Sequence, residues 1–209
     1  MSETDKKREQ IIESAIRRFS HFGIQKTTMN EIADDIAVTQ PSLYYYFPDK
    51  ISLIVAVVEK ISSDYFNALE ERLTTASGLK EAFFIIIDFR RDFLKKFFMM
   101  HLTDSSADAI VRVNCAETLQ NARLQEIQIV ASVIKAALIA GEVSTSDPEK
   151  MSALFLDSLT GLTQWVISRA EKSIFPESAQ LEMIVKRQRE LADVFLRGLS
   201  SDDKKTCKV

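Results

Sequence analysis

Residues 27–50, TTMNEIADDIAVTQPSLYYYFPDK, restrict the fold of this chain more than any other stretch. They hold two helix starts close together. Thr28 stands three residues before Glu31, the spacing of a capping box, in which each side chain satisfies the other residue's free amide. Met29, Ile32, Ala33 and Ile36 then recur at helical spacing and give that helix one apolar face. The pattern breaks across Ile36-Ala37-Val38-Thr39. Thr39 suits an N-cap, and Pro41 falls in the first turn that follows, where a missing N–H does no harm. This second helix, about residues 40–46, is too short to persist alone. Leu43 and Phe47 are expected to anchor it, with Tyr44 packing inward and Gln40, Ser42, Tyr45 and Tyr46 pointing outward.

Those outward groups suit a helix that enters a DNA groove. Gln can bond an adenine edge twice in the major groove, and a Pro ring can lie against a thymine methyl. Tyr and Ser hydroxyls, the helix start and Lys50 suit phosphate oxygens. The same periodicity also suits a helical hairpin that merely packs.

The residues around this stretch carry a resemblance. Ile11, Ile12, Ala15, Phe19, Phe22-Gly23, Thr27-Thr28, Ile32-Ala33, Ala37-Val38-Thr39, Leu43-Tyr44, Tyr46-Phe47, Lys50 and Leu53 resemble, in order and spacing, the N-terminal domain of TetR-family transcriptional regulators. Two positions depart from the family pattern. Ala37 stands where Gly is usual in the turn, and Ile51 stands where an acid is common. Ala does not readily take positive φ, so a slightly different backbone is expected at the turn. The resemblance implies an all-α chain. Residues 1–50 would be a helix-turn-helix DNA-binding head, and residues 51–199 a helical ligand-binding and dimerisation domain. Residues 200–209 would be a polar, disordered tail. It further implies bases read by or near Gln40, Pro41, Ser42 and Tyr45, and backbone contacts from Thr28, Thr39, Tyr46 and Lys50.

Composition agrees with an all-helical chain. Among 209 residues there are only 5 Gly and 4 Pro, too few for the many turns of an all-β protein. The net charge of −3 is not that of a protein that coats nucleic acid. Residues 1–50 hold seven Lys and Arg against eight Asp and Glu, so local placement of charge must decide whether a DNA face exists. Binding that depends steeply on salt is expected. The two cysteines, Cys115 and Cys207, form no disulfide framework or CxxC motif. No apolar run reaches about 18 residues, and the polar start is not a signal peptide, so a cytoplasmic setting is expected.

Beyond the head the chain reads as long helices. The first runs from about Asp5 to Phe22 and stops at Gly23. Lys6, Lys7 and Arg8 at its start read as a solvated charge run, with the DNA backbone as the alternative. Asp49 caps a helix over about 50–75, and another spans 79–102. In that one Glu81, Asp88, Asp92, Lys95 and Lys96 form a solvent stripe, with Asp92 and Lys96 paired. His101, Asp104 and Asp108 share a possible face, but two His in the chain make a metal site unconvincing, so no metal or cofactor is expected. Helices over about 116–140, 148–172 and 177–199 follow, the second of them opened by Asp147-Pro148. Gly161 inside it costs stability unless it permits a close helix approach.

The resemblance gives the last two helices a two-fold homodimer and the aromatic middle an effector pocket. Phe66, Phe89, Phe93, Phe97, Met100 and Trp165 are the candidate lining, although a filled core would look the same. Arg90, Arg91 and Arg112 would pair either with an anionic effector or with Asp and Glu of the chain. The implied function is a repressor released from a palindromic double-stranded operator by a small hydrophobic or aromatic molecule. The alternative is a helical adaptor that kept the fold without using DNA. No phosphate loop, nucleophile elbow or triad is present, which argues against an enzyme.

Overall fold

The computed structural model describes residues 3–101, 113–169 and 178–200, without the side chains of 98–101 and 169. Among these, eight helices account for nearly all the regular structure: α1 Glu3–Phe22, α2 Met29–Asp35, α3 Gln40–Tyr46, α4 Lys50–Leu73, α5 Leu79–His101, α6 Ala116–Ile139, α7 Pro148–Arg169 and α8 Ser178–Leu199. No strand occurs among the described residues, only one isolated bridge between Val143 and Ser200. The fold class is all-α, as the scarcity of turn residues predicts. Asp104, Asp108, the His101 side chain, Arg112 and the tail after Ser200 lie outside the described residues or side chains.

The chain packs as two compact units, Met1–Tyr65 with Leu94–Ala122, and Phe66–Phe93 with Arg123–Val209. This division by packing differs from the division by role, 1–50 and 51–199, expected from the sequence. Helices α4, α5 and α6 each start in one unit and end in the other.

The first unit is built on the inner stripe of α1. Ile11, Ile12, Ala15 and Phe19 are buried along with Ile32 and Ala33 of α2, Leu43 of α3, and Leu53 and Val57 of α4. Helix α1 stops where Gly23 takes φ 82° and its amide returns to the Phe19 carbonyl at 3.0 Å. Asp49 caps α4, its carboxylate accepting from the Ser52 amide at 2.7 Å. Such caps satisfy amides that a helix start leaves bare.

In the second unit Phe83 of α5 stacks on Phe155 of α7, centroids 4.1 Å apart, and Phe195 of α8 closes on Phe155 at 5.4 Å. Offset ring pairs of this kind add about 0.5–1.5 kcal/mol beyond the area they bury. Gln188 of α8, buried, donates to the Leu159 carbonyl and the Thr163 hydroxyl of α7 at 2.9 and 3.0 Å. An apolar pattern alone does not anticipate this polar tie. Nothing lies within 4 Å of a side chain built at Gly161, so within the described chain Gly161 permits no close approach.

The charged stripe on α5 differs from expectation. Asp88 is half-buried and accepts from Arg91 at 3.2 Å and Arg189 of α8 at 2.7 Å. Asp92 takes Arg91 at 2.8 Å and Arg72 at 3.9 Å, not Lys96. A guanidinium offers several donors to a carboxylate, and these arginines reach where a Lys one turn on does not. The helix is also interrupted at Phe97, with φ −112° and ψ 16°.

Candidate nucleic-acid interface

The interface is built from caps outward. Thr28 has extended φ/ψ, accepts from the Glu31 amide at 3.3 Å and donates its hydroxyl to Glu31 Oε2 at 2.9 Å. The Thr28 amide donates to the same oxygen at 2.7 Å, completing the capping box. The Thr28 hydroxyl is therefore engaged inside the head.

Helix α2 ends in a two-bond lock. The Val38 amide reaches the Ala33 carbonyl at 3.0 Å, and the Ala37 amide reaches Asp34 at 3.2 Å. This is the Schellman pattern, which needs a left-handed residue between its two bonds. That residue is Ala37, at φ 50°. The expected departure of the backbone does not occur, because the two bonds hold the turn in its left-handed form despite the Cβ.

Thr39 then caps α3, its hydroxyl accepting from the Ser42 amide at 3.4 Å, with Pro41 in the first turn. Leu43 is fully buried and Phe47 is 3% exposed, four residues apart on the inner face. The Arg8 guanidinium of α1 lies over the Phe47 ring, 5.1 Å from its centroid, a role that a solvated charge run does not predict.

Gln40 and Pro41 are exposed, and Ser42 is half-buried. Tyr45 is 79% exposed, and its ring meets the edge of Tyr46 at 5.2 Å and 89°. Tyr46 itself is half-buried. Tyr44 corrects the sequence reading: it is 42% exposed instead of packed inward. Leu43 and Phe47 already fill the inner face, and a 100° step carries residue 44 off it.

Lys50 opens α4 half-buried, with Nζ donating to the Gln25 carbonyl at 3.5 Å. Burial holds its ammonium below the ordinary lysine range, against the opposing pull of Glu31. Sequence reasoning missed Arg18. Its guanidinium forks onto Asp35 at 2.6 and 2.8 Å and reaches Glu31 at 3.3 Å, tying α1 to both ends of α2. A hydrogen bond from Arg18 holds the Asp35 carboxyl low, and the Thr28 bonds do the same for Glu31. The partners are 17 residues apart, so no local pattern signals them.

The candidate pocket residues do not gather in one unit. Phe66 is buried, Phe93 is half-buried, and Phe89 is half-buried under the Arg72 guanidinium at 5.5 Å. Trp165 is 47% exposed. These four belong to the second unit, whereas Phe97, buried, belongs to the first. The Met100 side chain lies outside the described atoms. Arg90 pairs with buried Glu126 and donates to Thr160 at 2.9 Å, and Arg91 is taken by Asp88 and Asp92. Both therefore follow the intramolecular alternative. No group of three or more His, Cys, Asp or Glu among the described residues could hold a metal.

A short capped helix, buttressed from behind and uncharged on its open face, defines a helix-turn-helix protein with an all-helical body. Residues 11–57 match the family of bacterial regulatory proteins called the tetR family. Over these residues the chain is similar to the DNA-binding segment of TetR-family transcriptional regulators. It is 27% identical over 147 residues to the HTH-type transcriptional regulator RutR of Escherichia coli K12, covering 66% of this chain and 63% of that one. The match thus spans less than two thirds of that relative. A probable acrEF/envCD operon repressor of the same organism is 42% identical over 52 residues, 25% of this chain and 24% of its own. The crystal structure of a transcriptional regulator from Cytophaga hutchinsonii superposes with a TM-score of 0.79 at 26% identity, over 93% of this chain and 99% of that one. These relatives are named as regulators, not enzymes.

Proposed function

We propose that the chain is a DNA-binding transcriptional regulator, a repressor that holds a near-palindromic operator as a homodimer and leaves it when a small effector binds. The observation that carries this reading is the open face of α3, Gln40, Pro41 and Tyr45, backed by buried Leu43 and Phe47. In this reading Gln40, Pro41, Ser42 and Tyr45 face bases, while Thr28, Thr39, Tyr46 and Lys50 lie towards phosphates. Two-fold pairing would set two such helices about one DNA turn apart.

Support for pairing through α7 and α8 comes from large apolar side chains left in solvent there: Leu154 and Trp165 on α7, Met183 and Val194 on α8. The open space at Gly161 suits close approach by a second copy. For the effector, the engagement of Arg90 and Arg91 with carboxylates favours an uncharged hydrophobic or aromatic molecule over an anion. Phe66, Phe89, Phe93 and Trp165, which share the second unit, are the proposed lining. An effector can release DNA only as far as it prefers the conformation that fits DNA badly. No helix of the described residues is long and apolar enough to cross a membrane, which agrees with a regulator working in the cytoplasm.

The test is gel retardation of the DNA upstream of the chain's own gene. Sequence-specific retardation that weakens steeply with salt, and that Gln40→Ala and Tyr45→Ala each reduce, is expected. Retardation unchanged by both substitutions removes α3 as the reader. No specific retardation of any duplex favours the adaptor alternative.

A further inference from the structure

Two exposed apolar rows stand on the second unit. Leu154 and Trp165 lie eleven residues apart on α7, and Met183 and Val194 lie eleven apart on α8. Eleven residues make about three full turns, so each pair shares one helix face. Helix α8 is held by its other side, where Phe195 meets Phe155 at 5.4 Å and Gln188 donates to Leu159 and Thr163 of α7. On the open face the charged residues between Met183 and Val194 are Arg187 and Glu190, and they pair with each other at 3.2 Å. The row therefore carries no net charge.

Met183 differs from the rest of these rows in its chemistry. Of the methionine side chains described, Met29 is buried and Met151 half-buried, whereas Met183 is 50% exposed. Hydrogen peroxide oxidises such a thioether. The peroxide O–O bond breaks, one oxygen bonds to Sδ, the sulfur gives up two electrons, and the other oxygen leaves as water. The product is a polar sulfoxide, and an apolar seam that buries it without a hydrogen-bond partner is weakened.

We propose that Met183 is an oxidation site that controls pairing: peroxide converts it to the sulfoxide in the separated chain, and the sulfoxide keeps two copies apart. This rests on the pairing through α7 and α8 proposed above and names its regulation.

The experiment exposes the full chain to hydrogen peroxide. Peptide mass spectrometry follows each methionine, and sedimentation reads the oligomeric state. Met183 is expected to gain one oxygen faster than Met151 and Met29, and more slowly as chain concentration rises, because pairing covers it. The oxidised chain should pair about hundredfold more weakly, about tenfold for each of the two symmetric sulfoxides, the factor that one unsatisfied buried polar group supplies. The two methionine sulfoxide reductases, one for each sulfoxide epimer, should restore pairing. Met183→Leu, apolar but without sulfur, stays paired after the same exposure. Met183→Gln, polar from the start, pairs weakly without peroxide. Undiminished pairing of a chain oxidised at Met183 overturns the proposal. So does an oxidation rate indifferent to chain concentration, or loss of pairing in peroxide-treated Met183→Leu. A parent chain that is solitary before any peroxide is a different result, because it removes the pairing reading and this proposal with it.

Discussion

Replacing Ala37 with Gly should stabilise the head. Ala37 holds φ 50° at the junction of α2 and α3. An L-residue with a Cβ carries a penalty of about 1–2 kcal/mol in that region. Glycine removes the penalty but gains freedom in the unfolded chain, which returns about 0.4–1 kcal/mol. The Ala37 side chain is exposed, so no packing is lost. The net gain is about 0.5–1 kcal/mol, or about 1–4 °C in Tm for a chain of this length. Asn, which tolerates the left-handed region, should fall between the two. Ala37→Val should lose at least 1 kcal/mol or so, because a β-branched residue fits positive φ poorly. Urea titration followed by the tyrosines of the head is the assay, with amide exchange at Val38 as a local check, since that amide closes the lock onto Ala33. A Gly variant no more stable than the parent, alongside a neutral Val variant, would falsify the left-handed turn.

Leu43→Ala removes the fully buried anchor of α3 and should cost about 2–5 kcal/mol in the urea assay; a loss below about 1 kcal/mol would mean that neighbours, not Leu43, hold the helix. Glu31 and Asp35 have folded pKa values below their unfolded ones, which lie near 4. Their contribution is therefore whole above about pH 4 and is lost as pH falls through the folded values. Arg18→Met should shrink the fall in urea midpoint between neutral and acid pH, and an equal fall in parent and variant would remove Arg18 as the cause.

What the sequence makes legible here is what chemistry decides within a turn of helix. Thr28, Thr39, Asp49 and Asp147 cap the helices they precede because a cap needs only its own residue and an amide two or three places on. Leu43 and Phe47 could be named as anchors because their spacing puts them on one face. Arg18–Asp35, Arg90–Glu126 and Asp88–Arg189 could not be named, since their partners lie 17, 36 and 101 residues apart. Many other carboxylates would have fitted each arginine equally well on paper. The exposure of Tyr44 is hidden from the sequence for a related reason. A seven-residue helix has room for one inner row, and composition does not say which aromatic residue is left outside it. The Phe-rich middle is ambiguous in sequence, because apolar side chains at helical spacing serve a core and a pocket alike.

The acidic balance of residues 1–50 counts against DNA binding only while its charges are treated as free. In the folded head at least four of the eight acids have partners. Glu31 is taken by the Thr28 cap and Arg18, and Asp35 by the Arg18 fork. Asp49 is taken by the Ser52 amide, and Glu9 by Lys60 at 3.1 Å. A carboxylate paired at hydrogen-bond distance contributes mostly a dipole at longer range, and salt damps what remains beyond about 10 Å. The arginine and lysine in these pairs are withdrawn as well, so the paired groups neither repel a duplex strongly nor attract it. Helix α3, which carries no charge of either sign, is then left to discriminate by shape, amide and carbon. On this account removing an internal carboxylate should not improve DNA affinity, although it makes the head more basic. Asp35→Asn frees a cation at Arg18 but loosens the tie between α1 and α2 that holds α3 in place. Measured at several salt concentrations, its affinity for a duplex selected with the parent chain from a random-sequence pool should fall or stay level. A rise that grows as salt is lowered would show that net charge, not the fixed geometry of the head, limits binding.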